Sequence, residues 1–316
     1  MKSYLFPFSV LLLFLTMLLF PAPVLKGASD GLLLWFHTVL PTLLPFILVC
    51  DLMLHTRAIH WIARIGNRLF SRLFRTSSYG SFSILAGFLC GYPIGAKVTT
   101  DLLLSGLISR SEACYLLSFC NNTSPMFVIS FLVLQNLKNP SLMIPALVIV
   151  ILSPILCSFL FRLRYRSGSS AQTSTFQAHG SKSIDSPFHQ DEDLLDTCIM
   201  RGIETITKVG GYIMLFSVLT TLAETFHIAS VPVLSALVPS LEITCGIQQI
   251  CSLPLSSEQI FIRSLTLTSF GGFCAAFQTR SIIKKGGLPF RPYITEKLIT
   301  AMVTSLFAFC YMKLFG

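Results

Sequence analysis

Four consecutive polar residues interrupt an apolar segment of this chain and carry groups that could bind a ligand. Asn121, Asn122, Thr123 and Ser124 stand directly before Pro125. Proline has no N–H to donate and frees a carbonyl one turn earlier, so amide, hydroxyl and backbone groups converge at this point. The pattern predicts a helix break that faces a ligand. A kink whose polar groups are satisfied by neighbouring helices is the alternative.

A Gly- and Pro-rich stretch that ends at Lys97 is the second candidate, with Gly91 and Gly95 inside it. Broken backbone at membrane depth is tolerated only where protein or a water-filled cavity covers it, so the stretch predicts a polar site inside the bilayer. A lysine beside a helix N-terminus suits an anionic ligand. Because Asp101 follows four residues later, an internal Lys97–Asp101 ion pair is the alternative.

Gly271 and Gly272, followed by Gln278, form the third candidate. Two adjacent glycines allow the backbone to approach a ligand closely, so this segment is expected to contribute backbone more than side chains. Close helix packing is the alternative interpretation. Together, the three segments make Gly91, Gly95, Lys97, residues 121–124, Gly271, Gly272 and Gln278 the predicted substrate-binding residues.

Composition places the chain in the membrane. Hydrophobic residues make up 53% and charged residues only 12%, where a soluble domain has roughly 25% charged residues. The net charge of +9 lies mostly between apolar runs, as membrane topology requires, so nucleic-acid binding is not expected. We find no Walker A loop, no G-x-S-x-G and no H-E-x-x-H, and no C-x-x-C pair. The sequence thus predicts no catalytic residue, metal or cofactor.

Hydropathy predicts an all-α polytopic membrane protein with about seven transmembrane helices. They are expected at about 4–22, 32–54, 112–136, 141–161, 198–226, 259–279 and 294–315. Two interrupted stretches, about 81–107 and 231–255, are interpreted as re-entrant or broken segments. With the N-terminus in the cytoplasm, most Lys and Arg fall on the cytoplasmic side. A basic segment, 57–75, is predicted to be an interfacial helix.

The chain also reads as a weak duplication around a polar linker. Cys90-Gly91 and Cys245-Gly246 fall in the two interrupted stretches, and Ser118-Phe119 and Ser269-Phe270 precede the two breaks. An odd number of crossings between the halves makes the repeat inverted, an architecture typical of secondary transporters. The predicted units are 1–30 as an N-terminal helix and loop, 31–163 as the first repeat, 164–196 as a cytoplasmic linker and 197–316 as the second repeat.

Three motifs resemble a known family. They are VLPTLLPF (Val39 to Phe46), GFLCGYPIGAK (Gly87 to Lys97) and SFCNNTSPMF (Ser118 to Phe127). The set is similar to the YlbJ-type sporulation integral membrane proteins of endospore-forming bacteria. These carry a nucleoside-recognition (Gate) domain, similar to segments of concentrative nucleoside transporters.

The resemblance implies a multi-pass protein of the outer forespore membrane, made in the mother cell, that passes dipicolinic acid toward the forespore. Dipicolinate is a planar dianion, so Lys97, amide donors and half-helix N-termini would suit it. A nucleoside or purine permease is the first alternative, and a non-transporting scaffold of the spore envelope is the second. The expected partners are the lipid bilayer and one small substrate. The oligomeric state is left open, with a homo-oligomer among the alternatives.

Overall fold

The computed structural model describes residues 2–56, 58–61, 70, 72–166, 191–228 and 234–315. Helices dominate these ranges, and no strand occurs within them. The helices are α1 Lys2–Leu19, α2 Pro21–Leu34, α3 Leu40–His55, α4 Ser78–Cys90, α5 Ile94–Leu104, α6 Arg110–Cys120, α7 Met143–Arg166, α8 Asp191–Thr225, α9 Leu234–Leu237, α10 Ile243–Ser252, α11 Ser257–Phe270, α12 Gly272–Ile283 and α13 Phe290–Phe315. π-Helical turns occupy Trp35–Val39 and Phe127–Leu137, and single helical turns occupy Arg72–Phe74 and Pro140–Leu142.

Several helices are long and apolar enough to cross a membrane, so the all-α, multi-pass fold class is confirmed. By length and composition, the described residues contain five such helices: Pro21–His55, Pro140–Tyr165, Leu194–Thr225, Ser257–Ile283 and Phe290–Phe315. The predicted span at 112–136 is not one of them, because its helix is interrupted at residues 121–124. The first predicted span has only a shorter apolar helix, Pro7–Leu19. The count of seven crossings stays a prediction.

Two long helical segments pack along each other in opposite directions. One is Pro21–His55, built from α2, the π-helical turn and α3, and the other is α8; each is 35 residues long. Gly27 faces Val218, and further along the pair Gly202 faces Leu48. Small residues at these contacts let the two backbones approach closely, as in other membrane helix pairs.

Helices α4 and α5 form a helical hairpin at the predicted Gly/Pro stretch. The hydroxyls of Ser83 and Thr99 meet 2.5 Å apart across its arms, and the chain turns at Gly91, whose φ of +86° favours glycine. The arms have 13 and 11 residues, so each is about 16–20 Å long at 1.5 Å per residue. Each arm is thus shorter than a hydrocarbon core of about 30 Å.

Two helices are broken where the sequence predicted breaks. Helix α6 ends at Cys120, and residues 121–124 are non-helical before the chain resumes a helix. Helix α11 ends at Phe270, and Gly271 with a φ of +86° separates it from α12. Both broken helices begin with a serine cap, in which Ser109 accepts from Glu112 N and Ser256 accepts from Gln259 N.

Two predicted segments fall largely outside the described residues. Most of the basic segment 57–75 lies there, and so does 167–190, the main part of the predicted linker 164–196. The interfacial helix and the cytoplasmic linker stay predictions.

Candidate functional site

A central cavity of about 510 Å³ lies where the first hairpin turn, both helix breaks and the π-helical turn after α2 come together. Its lining includes five of the predicted site residues: Gly91, Thr123, Ser124, Gly271 and Gln278. Tyr92, Glu242 and Thr244 add polar groups, while residues of α3 and its preceding turn supply an apolar wall. The volume is in the range of roughly 300–1,000 Å³ that is usual for small-molecule sites.

The other predicted residues lie around this cavity without lining it. Gly95 packs against the Cys120 carbonyl, and a Cβ at this position would lie 2.5 Å from that oxygen. Gly272 begins α12 with a φ of +78°, close to the Ser240 carbonyl. In both cases the missing side chain permits close backbone packing.

Asn121 is buried and its hydrogen bonds stay within the protein. Its amide nitrogen donates to the hydroxyls of Thr279 (2.9 Å) and Tyr293 (3.0 Å), and its side-chain oxygen accepts from the Ala96 N–H at 3.3 Å. These bonds join the first break to α5, α12 and α13. The geometry is that of a kink satisfied by neighbouring helices, the alternative that the sequence left open; a direct contact with substrate stays a prediction.

Thr123 and Tyr92 cross from the first half of the chain to the second break. The Thr123 hydroxyl donates to the Thr268 carbonyl at 2.6 Å. The Tyr92 hydroxyl lies 3.2 Å from the carbonyl oxygens of both Ser269 and Phe270. These are terminal carbonyls of α11, which lack partners within the helix. Thr123 therefore joins the first break to the second, and Tyr92 joins the α4–α5 turn to the second break.

Lys297, on α13, is a buried charge-bearing residue that sequence reasoning did not single out. Only 1% of it is exposed. Its Nζ atom donates to the Asn121 carbonyl (3.1 Å) and to the Asn122 side-chain oxygen (3.0 Å), and it lies over the Tyr92 ring at 5.0 Å. A lysine within a predicted span is itself a signal of function.

Glu242 brings a carboxylate to the central cavity. It is 3% exposed and caps α10, where its Oε2 atom accepts from the backbone N–H groups of Thr244 and Cys245, both at 2.9 Å, and from the Thr244 hydroxyl. Negative charge at a helix N-terminus is favourable, so these donors offset much of the charge of the carboxylate.

A second cavity, of about 400 Å³, is lined by charged residues and opens to the surface. Lys97 is at its inner end, 8% exposed, with Nζ 2.7 Å from Asp101 and 3.3 Å from Asp51. The Lys97–Asp101 ion pair, the alternative that the sequence left open, is therefore present, and a contact of Lys97 with an anionic substrate stays a prediction. The lining contains four cationic residues, Lys97, Arg201, Lys208 and Lys285, and three acidic residues, Asp51, Asp101 and Glu204. Four cationic and three acidic side chains leave the lining of this cavity with one excess positive charge.

The two cavities share two lining residues, Val209 of α8 and Gln278 of α12. Both are buried, at 3% and 6% exposure. They form the partition between the charged cavity and the central cavity. Gln278, predicted as a site residue, thus faces both compartments.

Asp51, His55 and Cys198 could in principle hold a metal ion, since their ligand atoms lie within 4.8 Å of one another. Lys97 Nζ lies 3.3 Å from Asp51, and an Arg201 nitrogen lies 3.0 Å from the His55 ring nitrogen. A metal ion there would meet two positive charges. The arrangement is better described as an ion-pair network at the wall of the charged cavity.

One curated protein resembles the chain over most of its length. No protein-family model and no solved structure match it. The sequence is 24% identical to the sporulation integral membrane protein YlbJ of Bacillus subtilis (strain 168) over an alignment of 343 residues. The alignment covers 94% of this chain and 80% of that relative. The resemblance drawn from the motifs is confirmed at this level, and the nucleoside-recognition domain stays a prediction. The chain is similar to a sporulation integral membrane protein.

Proposed function

We propose that this protein is a secondary-transporter-like permease that moves dipicolinate across the outer forespore membrane during sporulation. The observation that carries the proposal is the pair of cavities that share Gln278 and Val209, one lined by charged residues and one lined by residues of both helix breaks. Broken helices that meet around a polar cavity are the binding architecture of many secondary transporters.

An inverted repeat with seven crossings is part of the proposal. The described elements occur in a similar order on both sides of the linker: a long helix, two shorter helices, a broken helix and a final long helix. The two long helical segments have 35 residues each and the final helices have 24 and 26, whereas α9 has 4 residues where α4 has 13. The two long segments run antiparallel, which supports opposite orientations of the halves. The α4–α5 hairpin would then be re-entrant, since each of its arms is too short to cross.

Two features favour dipicolinate as the substrate: the charge of the cavity around Lys97 and the similarity to a sporulation integral membrane protein. One excess positive charge around Lys97 favours entry of an anion. His55, Arg201 and Lys285, which line this cavity, belong to the side that the positive-inside rule assigns to the cytoplasm. A substrate made in the mother cell would enter from that side. The resemblance to a sporulation integral membrane protein fits the same cell type.

A nucleoside is the second candidate, and the lining of the central cavity favours it. Among the described residues that line this cavity there is no Lys or Arg, while Glu242, Thr123, Thr244 and Gln278 offer hydrogen bonds to a neutral, hydroxyl-rich ligand. The two candidates therefore differ in which cavity decides selectivity.

The test is uptake of labelled dipicolinate into liposomes that contain the purified protein, with unlabelled uridine as competitor. We expect saturable uptake that uridine does not reduce. Inhibition by uridine would indicate that the substrate is a nucleoside and not dipicolinate. If folded protein takes up neither labelled dipicolinate nor labelled uridine, the result would favour a non-transporting scaffold.

A lysine substitution tests the charged cavity in the same assay. Lys97→Met should lower dipicolinate uptake about tenfold or more, because a buried cation is lost beside the entry route. Lys313→Met is the matched control, since Lys313 pairs with Glu258 on the protein surface. Equal uptake by Lys97→Met and wild type at equal protein level would contradict a cationic site.

A further inference from the structure

Lys297 lies at the C-terminal end of a broken helix, where cations are stabilised. Helix α6 ends at Cys120, and Asn121 is its C-terminal cap. The last carbonyls of a helix carry the negative end of the helix dipole and lack intrahelical partners. The Lys297 Nζ atom lies 3.1 Å from the carbonyl oxygen of Asn121.

The remaining neighbours of this Nζ atom also suit a cation. The side-chain oxygen of Asn122 accepts from it at 3.0 Å, and the face of the Tyr92 ring lies 5.0 Å away. Carbonyl and amide oxygens are the usual ligands of alkali cations, and the face of an aromatic ring attracts an ammonium. An unwound carbonyl with an adjacent amide oxygen is the kind of site at which coupled transporters hold Na⁺.

Lys297 differs from Lys97 in that none of the described acidic residues pairs with it. Lys97 has two carboxylates within 3.3 Å, whereas no carboxylate in the described part of the chain forms an ion pair with Lys297. The adjacent Glu296 accepts from the Tyr165 hydroxyl at 2.5 Å and faces Arg164 at 3.6 Å. Since an unpaired buried charge is costly, the oxygens and the ring around Lys297 must stabilise it themselves.

At the second break, different groups donate to the terminal carbonyls of the helix. The terminal carbonyls of α11 are met by the neutral hydroxyls of Thr123 and Tyr92. Only the first of the two described breaks therefore has a lysine against its carbonyls. The asymmetry indicates that positive charge is specific to the first break rather than a general requirement of broken helices.

We propose that the Lys297 ammonium acts as a tethered cation that fills the position at the first break where coupled transporters bind Na⁺. The charge that a dissolved ion would supply is thus part of the chain. The consequence for transport rests on the proposed function: dipicolinate uptake needs no Na⁺ at this break. The structural statement stands independently of any substrate.

The first experiment measures thermal stability, without substrate, of purified wild-type protein and of Lys297→Ala in detergent. Na⁺ or methylammonium replaces choline at constant total chloride. Removing the ammonium leaves a space lined by oxygens, so a small cation should bind the variant and raise its melting temperature saturably, by about 3 °C. Wild type should melt at the same temperature in Na⁺ and in choline. Lys313→Ala, on the same helix but at the surface, should behave as wild type.

Each result decides the proposal. A saturable cation effect in Lys297→Ala alone supports it. No cation effect in this variant, or a saturable Na⁺ effect in wild type, overturns it. If Lys297→Ala does not fold, the comparison of wild type in Na⁺ and in choline still tests the proposal. Lys297→Arg keeps the positive charge and should fold, whereas Lys297→Met should be destabilised. A Lys297→Met variant as stable as wild type overturns the proposal.

A second measurement separates this inference from the proposed function. Dipicolinate uptake by wild-type protein should be equal in Na⁺ and in choline media. Uptake that requires Na⁺ would overturn the tethered cation while leaving the permease in place. Absence of uptake in both media would overturn the permease, while the thermal measurements would still decide the role of Lys297.

Discussion

Tyr92 connects Lys297 to the opposite helix break: its ring lies 5.0 Å from the Lys297 Nζ atom, and its hydroxyl lies 3.2 Å from the carbonyl oxygens of Ser269 and Phe270. One side chain therefore contacts the cation at the first break and the terminal carbonyls at the second. Tyr92 also lines the central cavity. A ligand that moves Tyr92 would disturb both breaks together.

Two substitutions at Tyr92 separate its contacts. Tyr92→Phe removes the hydroxyl from two buried carbonyls and should lower the free energy of unfolding by about 1 kcal/mol. Tyr92→Leu also removes the ring from Lys297 and should lower it by a further ~1 kcal/mol. Denaturant unfolding in detergent measures both. Tyr79→Phe, at a half-buried tyrosine on α4, is the control; wild-type stability of both Tyr92 variants would show that neither contact matters.

Gly271→Ala should be destabilising because the backbone there is left-handed. With a φ of +86°, an L-residue is strained, and its Cβ would lie 2.6 Å from the Tyr92 ring. We expect the free energy of unfolding to fall by about 2 kcal/mol or more. Gly211→Ala is the matched control, since a Cβ at Gly211 in α8 would meet nothing within 4 Å. Equal melting temperatures of the two variants would contradict the prediction.

Gln278→Leu should impair passage between the two cavities. The change removes the polar group from the partition and keeps its volume, so an ionic substrate would meet an apolar barrier. We expect dipicolinate uptake to fall about tenfold with little change in melting temperature. Gln248→Leu, at an exposed position on α10, should leave uptake unchanged. Wild-type uptake by Gln278→Leu would show that substrate does not cross at this residue.

Glu242→Gln tests whether an anion passes the central cavity. The amide oxygen can still accept from the N–H groups at the start of α10, so the helix cap is retained while the negative charge is lost. Dipicolinate uptake at low concentration should rise about threefold or more, because repulsion is removed. A nucleoside permease would instead lose activity. Glu258→Gln, at a surface ion pair with Lys313, is the control.

The elements could be predicted largely from sequence because their signals are local. Apolar runs predicted the long helices, and Gly91, Pro125 and Gly271 predicted interruptions where the structure has them. Helix breaking depends on the φ preferences and missing donors of single residues, so it is visible without neighbours. The predicted span at 112–136 shows the limit, because hydropathy averages over the break at 121–124.

Sequence determined that this chain is a helical membrane protein with polar breaks inside it. Tertiary structure decided which polar groups face the cavity and which hold the fold. Asn121 bonds to residues of α12 and α13 more than 150 positions away, whereas its neighbour Thr123 lines the cavity. Lys297 contacts Asn121 and Asn122 only because α13 packs against the first break. Such partners depend on packing between distant helices, and no local pattern in the chain encodes that packing.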